Sequence, residues 1–261
     1  MNQVSLKLPA YVIADVHLSG RDPATQKLLF RWLDSESFNA RSLIILGDLF
    51  DAWIGDDAID PVAQSFANHL QKIIHRGVDV FFVAGNRDFL LGDEYARKAG
   101  MKRLDEPLVV DNIEPPTALI HGDVLCTDDK PYQRFRTRSR DPIWQAKILR
   151  LPILVRRLLA RWARFRSRSS NSLNGLVDVN HQTVQVFMRE HNITRLIHGH
   201  THRPALHRLD PSGHTRWVLG DWEGGRGYVI KLQDDGATLC SIAINHEDAI
   251  AWTALEPASG H

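Results

Sequence analysis

Residues 43–57 read LIILGDLFDAWIGDD, an apolar run that stops abruptly at Gly47-Asp48. A short aliphatic stretch closed by a glycine and a carboxylate describes a buried strand that presents a polar side chain at its end. The same design recurs on both sides of it. YVIA precedes Asp15-Val16-His17, VFFVA precedes Gly85-Asn86-Arg87-Asp88, ALI precedes His121-Gly122-Asp123, and LI precedes His198-Gly199-His200-Thr201-His202. Carboxylate, amide and imidazole groups are thus delivered from several strand ends towards one edge of a sheet. Two divalent cations roughly 3.5–4 Å apart can clamp and hydrolyse a phosphate ester, and these are the ligand types such a pair needs. A single Asp or His of this kind is usually a cap, a turn or a surface residue; five motifs in order argue for a metal centre.

Between the strands lie helical patterns. Leu28, Leu29, Trp32 and Leu33 share a face within about 24–36, Pro61 can open a helix over about 61–76, and Gly100 closes one over about 92–100. Strands at 11–14, 43–46 and 78–84 alternate with these helices, the grammar of a parallel core with crossover connections. After residue 204 the pattern changes to short strands at 214–219, 227–233 and 237–244. The fold class expected is α/β, a two-sheet sandwich flanked by helices. Residues 1–127 and 181–253 form its core, 128–180 an inserted basic helical cap, and 254–261 a disordered tail.

The insertion carries the charge asymmetry. Residues 134–168 hold eleven Arg and one Lys against the single acid Asp141, a local charge of +11, while the other 20 basic and 30 acidic residues give −10 and bring the chain to +1. Trp144, Ile148, Leu151, Val155, Leu158, Leu159 and Trp162 recur there at helical spacing, with Pro152 breaking the run and arginines between them. The serines and Asn171 of 167–172 interrupt the pattern before a further helix at about 176–191. Arg-rich amphipathic helices suit an anionic lipid surface, or an apolar cover for acyl chains that keeps cations towards phosphates. A basic helix packed on the domain is the plainer alternative. Cys126 and Cys240 read as reduced core residues. The amino terminus leaves no room for a signal peptide, and no apolar run is long enough to span a bilayer, so a cytoplasmic protein is expected.

For the centre itself, Asp15 and His17 can face one cation if the chain turns after its strand. Asp48 is the natural bridging carboxylate, Asn86 a neutral oxygen donor and His121 an imidazole donor, while His200 and His202 can reach opposite metals. Nitrogen and oxygen ligation without thiolate favours Mn²⁺, Fe²⁺ or Zn²⁺ over Mg²⁺ or Ca²⁺. A hydroxide bridging the cations would be the nucleophile. His198 lies off the pattern and reads as structural, and Asp88 and Asp123 as residues orienting the imidazoles or the neighbouring Arg. Arg87 cannot act as a general acid at neutral pH. It can hold phosphate oxygens bidentately, which suits a diphosphate whose leaving group needs no proton. A salt bridge from Arg87 to Asp88 is its structural alternative.

These motifs, in this order over about residues 11–203, resemble the calcineurin-like metallophosphoesterase superfamily. Within it, LGDLFDAWIGDD (46–57), GNRDFLLG (85–92), HGDVLCTDD (121–129) and IHGHTHRPA (197–205) resemble the bacterial family that hydrolyses UDP-2,3-diacylglucosamine to UMP and 2,3-diacylglucosamine 1-phosphate in lipid A synthesis. The resemblance implies one metal on Asp15, His17, Asp48 and His202 and another on Asp48, Asn86, His121 and His200, with Mn²⁺ as the ion. It implies catalytic roles for Asp48, Asn86 and Arg87, and substrate contacts from Asn86, Arg87, Asp129, Ser167, Asn171, Asn174 and His200. Asn174 departs from the family pattern, which has Lys there. A monomer is expected, with a lipid-linked UDP-sugar as substrate, peripheral contact with the cytoplasmic face of the inner membrane, and no nucleic-acid partner. The alternatives are a general nucleotide pyrophosphatase or phosphodiesterase, a binding module that keeps the fold without the chemistry, and a nucleic-acid-binding phosphoesterase drawing on the basic segment.

Overall fold

The computed structural model describes residues 2–35, 38–174 and 178–256; of 165–174 it describes the helix but not the side chains. Short strand β1 (Asn2–Val4) leads into β2 (Ala10–Ile13), helix α1 (Pro23–Asp34), β3 (Ser42–Leu46), α2 (Pro61–His75), β4 (Asp79–Val83), α3 (Asp93–Ala99) and β5 (Lys102–Arg103). Strands β2 to β5 are parallel neighbours. The helices begin where the sequence places start signals. Asp22 accepts a hydrogen bond from Thr25 N–H and Asp60 accepts one from Ala63 N–H, each aspartate standing just ahead of a first-turn proline. Gly100, at φ 75°, closes α3 in the left-handed region.

The second sheet grows from β6 (Leu108–Val110) and β7 (Thr117–Ile120). Helices α4 (Lys130–Ser139), α5 (Pro142–Leu149), α6 (Ile153–Asn174) and α7 (His181–Glu190) follow, and then β8 (Arg195–His198), β9 (Ala205–Arg208) and β10 (Thr215–Val218). This sheet runs β1-β6-β7-β8-β10-β9. The chain then crosses back, and β11 (Arg226–Gln233), β12 (Gly236–Ile244) and β13 (Ile250–Ala254) extend the first sheet as an antiparallel meander, giving β13-β12-β11-β2-β3-β4-β5.

Three apolar layers hold the sandwich. Val12, Ile44, Leu46 and Phe81 of one sheet meet Leu108, Leu119, Ile197 and Trp217 of the other between the sheets. Leu28, Trp32, Phe66 and Tyr95 bury the outer face of the first sheet beneath α1, α2 and α3, while Val184 and Met188 of α7 cover the second. Both cysteines are buried. Among the described residues no helix is long and apolar enough to cross a membrane.

The structure corrects several expectations. The break expected over 167–172 is absent, since α6 continues through Asn174, and α7 starts only at His181, with Asn180 as its N-cap. Strand β13 includes Ala254 at the start of the expected tail, and residues 257–261 lie outside the described residues. The cap is oriented opposite to an ordinary surface helix. On α6, Ile153, Arg156, Ala160 and Arg164 turn towards the domain, while Leu154, Leu158, Leu159 and Trp162 are exposed, Leu154 at 67% and Trp162 at 60%. Arg156 is 3% exposed, its guanidinium bonded to Asp57 and to the carbonyls of Ile54 and Leu151. The buried Arg156 and the half-buried Arg164 thus seat the helix and leave its apolar face outward.

Candidate metal centre

The seven candidate ligands converge from five strand ends. Asp15 and His17 follow β2, Asp48 follows β3, Asn86 follows β4, His121 follows β7, and His200 and His202 follow β8. The edge they share belongs to both sheets, not to one, because β7 and β8 lie in the second sheet. Asp15, His17, Asp48, His200 and His202 all have φ between 50° and 69°, a left-handed backbone that costs non-glycine residues energy. The turn each makes there points its side chain into the centre instead of continuing the strand. Glycine is required beside them: a Cβ on Gly85 would lie 2.2 Å from Asp48 Oδ1, and one on Gly47 would lie 2.7 Å from His121 Nδ1.

Two adjoining clusters result. In one, His17 Nε2 and His202 Nε2 face each other at 3.3 Å, with Asp15 Oδ1 3.5 Å from His202 Nε2. In the other, His121 Nε2 and His200 Nδ1 each lie 2.9 Å from Asn86 Oδ1. Asp48 stands between them, its Oδ1 3.8 Å from His121 Nε2. Donor atoms of Asp15, His17 and His202 form one group within 4.8 Å, and those of Asp15, Asp48 and His121 a second.

The donor set fits divalent cations on grounds internal to the molecule. Two imidazole nitrogens aimed at each other need a proton or a cation between them. Asp15 Oδ1 is buried without a hydrogen-bond partner among the described residues, which is costly unless something charged meets it. The buried carboxylates also draw in positive charge. Burial alone would depress His121 and His202, yet Asp48, Asp123 and Asp15 raise His121 to about 9, and Asp15 with Asp221 raises His202 to about 10. His17 and His200 go the other way, His200 down to about 4, because burial and neighbouring cationic groups favour their neutral, ligating form.

Surrounding groups fix each ring. His121 donates from Nδ1 to the Leu46 carbonyl at 2.8 Å, freeing Nε2. His202 turns Nδ1 to Asp221 Oδ2 at 3.3 Å, leaving Nε2 for the centre. Asp221 was missed in the sequence, although Leu219-Gly220-Asp221 repeats the tripeptide Leu46-Gly47-Asp48 after an apolar run. Outer partners of ligating histidines typically contribute about 10–100-fold in metal affinity. Asp221→Asn is therefore expected to weaken binding of one cation by about that factor and leave the other in place, which a two-site metal titration resolves.

Asp88 differs from expectation. It touches neither an imidazole nor the Arg87 guanidinium, but accepts from Gly85 N–H and Leu49 N–H, each at 2.7 Å, and so locks the β3 and β4 ends together. Burial and the Asp48 charge push it up to about 7. Arg87 pairs with Asp51 at 3.2 Å, not with Asp88 as in its structural alternative, and lies 3.4 Å from Asp48 Oδ2. Asp123 likewise bonds Tyr132 Oη and Arg136 instead of an imidazole, tying α4 to the centre. The Tyr132 ring sits 5.8 Å from that of His200. His198 is buried, its ring Nδ1 donating to the Gly199 carbonyl at 2.7 Å. Asp129 caps α4 by accepting from Tyr132 N–H. The side chains of Ser167, Asn171 and Asn174 lie outside the described residues.

A calcineurin-like phosphoesterase family model matches residues 8–204. A UDP-2,3-diacylglucosamine hydrolase of Xanthomonas axonopodis pv. citri is 42% identical over 243 residues, covering 89% of this chain and 98% of that protein. Proteins with the same name from Chromohalobacter salexigens and Edwardsiella ictaluri are each 41% identical, covering 86% and 95% of this chain and 93% and 97% of their own. Among solved structures, Vps29 of Cryptosporidium parvum is 14% identical with a TM-score of 0.48 over 95% of this chain and 97% of its own. With a family model spanning most of its length and relatives above 40% identity over 86–95% of it, the chain belongs to the UDP-2,3-diacylglucosamine hydrolases within the calcineurin-like phosphoesterases.

Proposed function

We propose that the protein hydrolyses the pyrophosphate bond of UDP-2,3-diacylglucosamine, releasing UMP and 2,3-diacylglucosamine 1-phosphate for lipid A biosynthesis. The observation that carries the reading is Arg87, a permanently charged group held 3.4 Å from the carboxylate between the two clusters. When bound, a pair of divalent cations supplies an activated water and neutralises charge on the phosphate. The chain's own groups do the rest. Asp48 holds the two clusters in register, and Asn86 presents its amide oxygen between His121 and His200. Arg87 offers its guanidinium to phosphate oxygens as charge builds on them. It supplies no proton, which a diphosphate does not need and an alkyl phosphomonoester does.

The cap fits the rest of the substrate. Its outward apolar residues, with Arg157 and Arg161 exposed among them, suit acyl chains and the anionic lipid from which such a substrate comes. The finer parts of the proposal are Mn²⁺ as the ion, a monomer working at the cytoplasmic face of the inner membrane, and substrate contacts from Asp129, Ser167, Asn171 and Asn174. Among the described side chains of α6, the inward Arg156 and Arg164 are paired with the carboxylates of Asp57 and Asp51. The test is hydrolysis by the purified, Mn²⁺-loaded protein of UDP-2,3-diacylglucosamine in detergent, beside UDP-N-acetylglucosamine and a p-nitrophenyl diester. Preference for the acylated substrate with UMP released is the expected result. Equal or better turnover of the soluble esters would sink the lipid assignment and leave a general nucleotide pyrophosphatase.

A further inference from the structure

Asp51 lies three residues beyond Asp48, on a segment whose backbone is fixed to the metal centre. His17 N–H donates to Asp48 O at 2.9 Å, Leu18 N–H to Leu49 O at 2.8 Å, and Asp51 N–H to Leu18 O at 3.3 Å, continuing the β2–β3 pairing past the ligands. The Asp51 carboxylate, on a residue 8% exposed, is thereby placed rigidly relative to His17 and Asp48. It gathers guanidinium groups from three parts of the chain. Arg87 Nη1 is 3.2 Å from Oδ1, Arg164 Nη1 is 2.6 Å from Oδ2, and Arg21 Nη1 is 3.8 Å from Oδ2.

Arg164 brings the cap into this cluster. Arg156 and Arg164 are eight residues apart on the inward face of α6, about 12 Å along the helix. The first is anchored on Asp57 and the second on Asp51, so α6 lies along the loop that leaves Asp48. A free arginine samples many rotamers, and holding it before substrate arrives removes that ordering from the barrier.

We infer that Asp51 is a positioning residue: it pins the Arg87 guanidinium beside the metal centre and, through Arg164, makes that placement depend on the seating of the cap helix. The inference rests on the reading of Arg87 as the group that holds substrate phosphate. Loss of the Asp51 charge leaves Arg87 and Arg164 facing each other without their shared counterion, and Arg87 swings away from the centre. A misplacement of about 1 Å in such a group costs about 100-fold.

The experiment is a mutant cycle on the full-length, Mn²⁺-loaded protein, with kcat, KM and metal content measured for Asp51→Asn, Arg164→Gln, Arg87→Ala and the double variants that include Arg87→Ala. Asp51→Asn is expected to lower kcat by about 10–100-fold, with KM and metal content unchanged and partial recovery in Asp51→Glu. Added to Arg87→Ala, it should cost less than about threefold more, because residues acting through one group do not add. Arg164→Gln, which removes only a half-buried contact from the cap, should lower kcat in the wild-type background and not beside Arg87→Ala, and it keeps the question open to test if Asp51→Asn fails to fold. Multiplicative losses in the double variants, or metal loss matching the fall in kcat, would overturn the inference. If Arg87→Ala itself keeps full kcat, the role of Arg87 fails; if only Arg87→Ala loses activity, the positioning role fails alone.

Discussion

Replacing Asp48 by alanine is expected to strip cations from both halves of the centre and to lower phosphate-ester hydrolysis by about three orders of magnitude or more. The carboxylate is 2% exposed and stands between the Asp15–His17–His202 and Asn86–His121–His200 clusters. Each cluster would then keep three of the four ligands that the resemblance implies, and Asp15 would be the one carboxylate left among the seven candidates. Charge stabilisation by a bound cation is worth several kcal/mol at the transition state, and each 1.36 kcal/mol is tenfold in rate. Asp48 also accepts from Arg87 N–H at 2.8 Å, so alanine loosens the loop as well. Asp48→Asn, which keeps the shape and removes the charge, separates the two effects. Metal analysis of both purified variants should show less than one cation per chain. Retention of two cations in either variant would remove Asp48 from the bridging role.

Arg87→Ala should behave differently. The guanidinium touches carboxylates and no imidazole of the centre, so two cations should stay bound while turnover falls by about 10²–10³-fold, the loss usual for a donor aimed at developing charge. Arg87→Lys should recover little, since an ammonium cannot make the forked contact. The fall should appear in kcat, with KM nearly unchanged, if the contact strengthens only as the bond breaks. Metal loss equal to that of Asp48→Ala would show that Arg87 maintains the centre instead of acting on substrate.

Much of this was legible because strand ends and ligands coincide in the sequence. Each of the seven donors follows an apolar run or sits within a few residues of its end, and the close backbone packing beside Asp48 and His121 leaves no room for a Cβ at Gly47 and Gly85, both visible in the sequence. The helix start at Pro61 was equally open, since a proline suits the first helical position. What stayed hidden depends on contacts between distant segments. β1, β5, β6, β9 and β13 are short or lie at sheet edges, where burial imposes little pattern. The membership of β7 and β8 in a separate sheet is a matter of pairing, which periodicity does not encode. Asp51 and Asp57 carry no local sign of their partners, Arg164 and Arg156, which lie about a hundred residues further along. The inverted seating of α6 follows from those pairs: once two arginines are drawn inward, the leucines of the same helix have nowhere to go but out.

The division of ligands between the two sheets has a consequence for when the protein can take up its cations. Asp15, His17, Asp48, Asn86 and His121 come early in the chain, and all of α4 to α7 must be made before His200 and His202 follow. A nascent chain therefore carries a centre without its last two imidazoles, and full loading waits until β8 has joined β7. A cation held by donors from both sheets would then span the seam of the sandwich like a rivet. Prying the sheets apart would then mean expelling metal, and the free cation concentration would set how long the folded molecule lasts.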